Sequence, residues 1–507
     1  MVNLMCMDNF GTTDYSINLI IGKLTALLEL SSMIPYPFPW CNGAYLTQLR
    51  TPELPVYDKY SGALLASIPQ STAAEHDTFI HAALAGMQQL AQLDAQARAD
   101  IFLKVASLLG AQKEFYASLI VAEAGKPLQL ARVEVDRCIA TLNAGAREVM
   151  WPQAEVIPMD FGRGAGKRAF TARFPAGPVL AFSPFNFPLN LALHKVVPAL
   201  AAGCSIVLKA PPQAPLSMLS LAALFAEAGL PPGALNVTVC SNDVALQLLM
   251  DERFAVFSFT GSDQVGWMLK AKAGKKRCTL ELGGNAAAIV DETADLADAA
   301  RQIAYSAFMY AGQVCISTQR IFVVEEVAET FRDLLLSETA KIRSGNPADD
   351  YILNGPLISA DALQRIEQHL AEAIRGGAQV ISGARALQFE ANLFAPTLLT
   401  NTTPEMAVNR DEVFGPVATL EVCRNAAHAI ELAGNSRFGL QCGYFSQHLS
   451  RVKSAFNQIR TGSLIVNSAP GFRMDHMPYG GLGDSGIGYE GIRYAMQEMS
   501  ETRLLVF

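Results

Sequence analysis

The 507-residue chain has no Cys-x-x-Cys pair, no excess of basic over acidic residues and no uninterrupted apolar run approaching the ~20 residues that a bilayer crossing requires. Each absence removes a class. Without the long run there is no membrane-spanning helix to expect. Lys and Arg total 39 against 47 Asp and Glu, a net charge of -8. Such a chain has no global pull toward DNA or RNA, so no nucleic-acid partner is expected. Charged residues are only 17% of the chain and hydrophobic ones 50%, the reverse of a disordered composition. The nine cysteines are scattered and odd in number. They suggest neither a disulfide framework nor a metal site, and they fit a reducing compartment, so the expected location is the cytoplasm.

What is present is an alternation. Residues 73–95 and 97–122 are Ala/Leu-rich with helical spacing. Short β-rich runs follow, GPVLAFSP (177–184), SIVLKAP (205–211), LNVTVC (235–240) and AVFSFTG (255–261), with helical stretches between them. Buried strands alternating with helices predict a parallel α/β sheet. The pattern restarts after 285 with AAAIVD (286–291), a helix through Tyr310 and RIFVVEE (320–326), which predicts a second α/β domain. Residues 151–176 interrupt the first domain and read as a β-hairpin excursion. Within them GRGAGK (162–167) lacks the glycine spacing and the Ser or Thr of a P-loop, so a hairpin turn is expected there. Residues 1–44 read as an N-terminal extension with a possible short helix in the apolar stretch Ile17 to Leu30. No Lys or Arg precedes Lys23, as a secretory signal would need.

Four places could carry chemistry. Cys315, in AGQVCISTQR, has polar and small neighbours unlike those of a purely structural cysteine, but a thiol needs help to ionise at neutral pH. Glu281, in TLELGGNAA, ends an apolar run just before two glycines, where partial burial would tune it as a general base. Asn186 precedes Pro188 at a strand-to-helix junction, where its amide either caps the helix or points an N–H into a site. On that helix Phe187, Leu191 and His194 share a face. FTGS (259–262) places a Gly-Ser turn at a helix start, whose free N–H groups suit an anion such as a pyrophosphate. It is not the GxGxxG fingerprint.

Order and spacing join these fragments. From about residue 45 to 507 the chain resembles the aldehyde dehydrogenase superfamily, through FSPFNFPLN, LKAPPQAP, FTGSDQVG, LELGGN, GQVCIS, DEVFGPV and MPYGGLGDSGIG. The resemblance implies an α/β fold with a Rossmann-like dinucleotide-binding domain (45–150 and 177–285), an α/β catalytic domain (286–480) and a small β oligomerisation arm (151–176 with 490–507). It implies a homodimer or homotetramer. By the same resemblance Cys315 is the nucleophile, Asn186 the oxyanion donor and Glu281 the base that activates water. Ser183, Phe185, Lys209, Thr260, Gly261, Ser262, Leu282, Glu412 and Phe414 fall at cofactor-contacting positions, with NAD as the expected cofactor and NADP possible. Phe187, Leu191, His194, Val314, Ile316 and Arg473 fall on the substrate tunnel.

The chain also departs from the family pattern. Pro212 stands where many NAD-preferring relatives have a Glu, so weak discrimination against NADP is expected. Tyr489 stands where relatives often have Arg. Arg473 is unusual in an apolar tunnel. With His194 it would hold a small anionic aldehyde, or else it pairs with Asp475 or a neighbouring subunit. The overall expectation is NAD(P)-dependent oxidation of an aldehyde to the acid. The alternatives are a coenzyme A-acylating enzyme, whose usual lack of a Glu at position 281 counts against it, and a catalytically silent structural relative.

Overall fold

The computed structural model describes residues 37–151, 154–388 and 391–507. The possible helix at Ile17 to Leu30 lies outside them. Among the described residues one eight-stranded sheet has at its centre Leu235–Thr238, Ile206–Lys209, Val179–Phe182, Val256–Thr260 and Arg277–Glu281, adjacent in that order and all parallel. Three of these strands (Ile206–Lys209, Val179–Phe182 and Leu235–Thr238) are buried at every position, as expected where helices cover both faces.

Two boundaries differ from the sequence reading. The first sheet begins before residue 45: Trp40–Cys41 and Ala44–Tyr45 form a hairpin, and Trp40 pairs with Val237. Asn42 and Gly43 both have positive φ, 52° and 81°, the turn geometry that suits the twist of a two-residue hairpin loop. Trp40 and Cys41 are buried there, which gives this segment a reason to join the sheet. At the other end, residues 490–499 do not belong with the arm. The helix Ile492–Glu498 packs against Asn190–Ala202 and Leu128–Glu148, with Ile492, Met496 and Met499 in the main core. Its apolar face is better buried there than exposed on a β-arm. The following strand Ser500–Val506 pairs antiparallel with Ala169–Pro175, which pairs with Val156–Ile157. GRGAGK lies in the connection between those last two strands, with a short turn of helix at Gly162–Gly164.

The second sheet orders Gln379–Ser382, Thr397–Thr400, Val417–Cys423, Arg320–Val324, Ala287–Val290, Gln441–Phe445 and Ser463–Val466, parallel apart from the first strand. The expected helix over 97–122 is in fact two, Ala95–Ala111 and Lys113–Ala124, because Gln112 leaves helical geometry (φ -111°, ψ 21°). No helix among the described residues is long and apolar enough to cross a membrane.

The chain crosses between sheets in five residues, from Glu281 at the end of one strand to Ala287 at the start of the next. The register aligns Phe182 with Lys209 and Thr260 with Glu281, so these side chains gather at one carboxyl edge. Crevices at such an edge are where parallel α/β sheets bind ligands.

Candidate active site

A cavity of about 900 Å³ opens at that edge. Cys315, Glu281, Asn186 and all nine residues expected to touch a cofactor line it. Backbone geometry explains how the thiol reaches it. Tyr310, Ala311 and Gly312 are consecutively left-handed (φ 53°, 54° and 67°), an unfavourable run for side-chain-bearing residues that the surrounding structure must hold. The Tyr310 hydroxyl donates to the Ala124 carbonyl (2.9 Å), and the Gln313 side chain donates to the Tyr310 and Pro356 carbonyls while accepting from Ile358 N–H. The Asn186 side-chain amide donates to the Gln313 carbonyl (2.9 Å), which ties the expected oxyanion donor to the thiol's own loop.

Gly284 is needed for close approach: a Cβ there would sit 2.8 Å from the Cys315 carbonyl oxygen. At Gly283 a Cβ would meet the Glu412 carboxylate at 2.3 Å. Glu412 accepts from the Gly284 N–H (3.0 Å), and burial, with Asp263 adding, pushes it up to about 8.

Glu281 is buried, and neither carboxyl oxygen has a hydrogen-bond partner. Burial first, then the nearby Glu490, pushes it well above the usual carboxylate range against the pull of Arg473 and Lys195. The Cys315 thiol is raised to about 11 by burial, with the hydrogen bond to the Tyr479 hydroxyl acting the other way. In this state it is a protonated thiol.

The cofactor end fits a dinucleotide. Ser262 precedes the helix Asp263–Lys272 without capping it through its side chain, so the first N–H groups face the cleft unshielded. Lys209 is buried at the wall beside Pro211, Pro212 and Gln213. Asp243 and Arg365 line the same cavity and had no signal in the sequence. The letters GxGxxG do occur, at Gly481, Gly483 and Gly486, but Gly483 and Gly486 lie in two short strands and not in a strand-to-helix turn.

Of the expected substrate residues, Phe187, Val314 and Ile316 pack in one cluster with Cys315 and Tyr479, and Leu191 lines the cleft. His194 departs from expectation. It is buried with Nε2 2.9 Å from Asp475 Oδ1, and burial lowers its tendency to carry charge. Donating from Nε2, a neutral ring keeps only a lone pair at Nδ1 and cannot donate to an anion. Arg473 pairs with Glu490 (3.2 Å) instead of Asp475, and its Nε is buried without a partner. Asp475 instead takes Arg137 through both oxygens (2.7 and 3.2 Å). Arg137, which sequence reasoning missed, lies over the Phe187 ring at 5.5 Å with its side chain partly exposed.

Two largely parallel α/β sheets thus meet at a cleft with a thiol and a desolvated carboxylate in its wall. The chain belongs to the aldehyde dehydrogenase family, whose model matches residues 47–505. It is 38% identical to a 3-sulfolactaldehyde dehydrogenase of Priestia aryabhattai, over 92% of this chain and 97% of that one. The crystal structure of aldehyde dehydrogenase 21 from Physcomitrella patens, in complex with the reaction product succinate, superposes with a TM-score of 0.89 at 36% identity, covering 93% of this chain and 98% of that one. A glyceraldehyde-3-phosphate dehydrogenase from Methanocaldococcus jannaschii complexed with NADP gives 0.86 at 33% identity, covering 90% and 100%.

Proposed function

We propose that this protein oxidises a small anionic aldehyde to its carboxylic acid, with Cys315 as nucleophile and Glu281 as the base that hydrolyses the thioester. The observation that carries the reading is that the thiol and a buried, unpartnered carboxylate face one cavity that also holds the Asn186 amide. The Cys315 sulfur attacks the aldehyde carbon, and the oxyanion is received by the second Asn186 N–H, the first being engaged with Gln313. NAD(P), bound along Lys209, the Gly261–Ser262 turn and Glu412, supplies the hydride acceptor. Glu281 then takes a proton from the water that attacks the thioester. Its freedom from hydrogen bonds and raised affinity for a proton suit that task and argue against a coenzyme A-acylating reaction. An intact thiol, carboxylate and cleft argue against a silent structural relative.

Three relatives point to the substrate class, since sulfolactaldehyde, succinate and glyceraldehyde 3-phosphate all carry an anionic group. Arg473 and Arg137 are the cations that suit it best: each lies over an aromatic ring of the Cys315 cluster, Tyr479 and Phe187, and Arg473 keeps one donor unpaired. His194 then supports Asp475 and does not bind the anion. In wild type and Arg473→Ala, kcat/KM for a semialdehyde should be compared with that for an uncharged aldehyde of equal length. The expected result is a loss of about tenfold or more on the semialdehyde alone, as for a lost hydrogen-bonded ion contact. An equal effect on both aldehydes removes the anion site.

We further propose a homo-oligomer assembled through the arm, where Phe170, Phe174, Leu504, Leu505 and Phe507 are exposed together on paired strands, and a cytoplasmic location, in keeping with free cysteines.

A further inference from the structure

The Tyr479 hydroxyl lies 3.1 Å from the Cys315 sulfur. The ring around it is held on both sides. Tyr479 and Glu490 exchange backbone hydrogen bonds (3.1 and 2.7 Å), and the Arg473 guanidinium sits 3.6 Å from the ring centroid while bonded to Glu490. The side chain is buried, so the phenol has little freedom to turn away.

With a neutral thiol, either atom can donate across this contact. With a thiolate, only the phenol can. The hydrogen bond then becomes charge-assisted and favours the ionised sulfur. A cation over the ring face draws electron density from the phenol and makes its O–H a stronger donor. We propose that Tyr479 is a catalytic residue of this site, its O–H stabilising the Cys315 thiolate before attack, with Arg473 stacked on the ring to orient and strengthen the donor. The inference rests on the assignment of Cys315 as nucleophile.

No proton passes to or from Tyr479. The thiol proton leaves to water in the cleft and the Tyr479 O–H bond stays intact. When the sulfur lone pair forms the bond to the carbonyl carbon, the hydrogen bond is given up. The other groups facing the sulfur are Glu281 from the first sheet, Glu412 from the DEVFGPV loop and Arg473 from the loop before Tyr479. The two carboxylates and burial oppose the thiolate, and Arg473 favours it. Tyr479 itself is kept protonated, pushed well above the usual phenol range by burial first and then by its neighbours Cys315 and Glu281, against the pull of Arg473.

A contact worth about one pKa unit raises the thiolate fraction about tenfold, while a nucleophilicity slope of ~0.4–0.5 returns about threefold of that. The net gain at neutral pH is about threefold. The test is the rate at which Cys315 is alkylated at neutral pH in wild type and Tyr479→Phe, followed at the Cys315 peptide by mass spectrometry, with neutral iodoacetamide and anionic iodoacetate. Tyr479→Phe keeps the ring and the Arg473 stack. The expected result is about threefold slower alkylation by both reagents, a comparable slowing of the first hydride transfer, and unchanged cofactor affinity. Equal rates in wild type and variant overturn the inference. So does a slowing confined to iodoacetate, which would place Tyr479 in the anion subsite. Cys315→Ala separates the two readings: if it retains turnover, the nucleophile assignment fails. If it is inactive while Tyr479→Phe alkylates like wild type, only the role of Tyr479 fails.

Discussion

Glu281 and Cys315 line one cleft, the roles proposed for them belong to different steps, and substitution should separate them. Cys315→Ala is expected to abolish turnover and leave cofactor binding largely intact, because no covalent intermediate forms. Glu281→Gln should keep a first-turnover burst of reduced cofactor and lose at least tenfold in steady-state rate, since only deacylation needs the base. The pH dependence has a definite sign. Burial and Glu490 raise the Glu281 carboxyl, so its base form appears only above the ordinary carboxylate range. Wild-type kcat should therefore rise with pH through a limb displaced upward from ~4.3, and that limb should be missing in Glu281→Gln. A burst lost together with steady-state turnover, in a folded protein that still binds cofactor, would give Glu281 another role. At the far end of the cleft Pro212 offers neither acceptor nor charge. A missing ribose hydrogen bond is worth about 1 kcal/mol, so kcat/KM for NAD and NADP should differ by about five- to tenfold. A preference for NAD well above a hundredfold would mean that another acidic residue of the cleft lining, such as Asp243, replaces the missing Glu.

The helix Asn190–Ala202 is held at its start by groups far away in sequence. Glu134 accepts from the Leu189 and Asn190 N–H groups (3.0 and 3.1 Å), which a helix start otherwise leaves unpaired. The same carboxylate bonds Lys126, whose ammonium sits 3.4 Å from the Phe187 ring centroid. Both charges are buried. Such a pair need not add stability over an apolar replacement of both, but removing one partner strands the other. Lys126→Met is therefore expected to cost about 3–5 kcal/mol in denaturant unfolding. Lys126→Met/Glu134→Gln should recover part of that loss, and equal destabilisation in single and double variants would show that the two charges are not coupled. The element also explains a sequence ambiguity. Pro188 and Asn186 marked a helix start, yet the cap comes from Glu134 on another helix, which leaves the Asn186 amide free to serve the thiol loop.

Over the whole molecule, the two sheets are joined by the short crossing at Leu282–Ala286, and the first sheet is completed by Gly486–Ile487, which returns from the far end of the chain to pair with Leu280 and Glu281. The C-terminal strand ends in an exposed apolar edge at Leu504, Leu505, Val506 and Phe507. An open, apolar edge strand favours pairing with another chain. Leu505→Asp is expected to shift the protein toward smaller species in light scattering while leaving the fold by circular dichroism intact. An unchanged mass would exclude this strand from the interface.

Much of this was open to reading in the chain. The buried strands at 179–182, 206–209, 256–260 and 287–290 appear as apolar runs, because residues covered on both faces need no alternation. LELGGN and GQVCIS mark backbone that must approach closely, as the Cβ limits at Gly283, Gly284 and Gly312 make plain. Other features had no local signal. Trp40–Cys41 reads as part of an N-terminal extension, because its partner Val237 is nearly 200 residues away. The partners of Arg473, His194 and Asp475 were misjudged because side-chain pairing depends on which elements meet: Arg137 on one helix reaches Asp475, and Glu490 reaches Arg473 and Lys195 together. Tyr479 looked like part of a glycine-rich motif, and only packing brought its hydroxyl to the sulfur. Local sequence carries backbone needs and apolar periodicity, which act over a few residues. The charge and proton affinity of Cys315, Glu281 and Glu412 come from burial and from neighbours 25 or more residues away, and those exist only once the chain has folded.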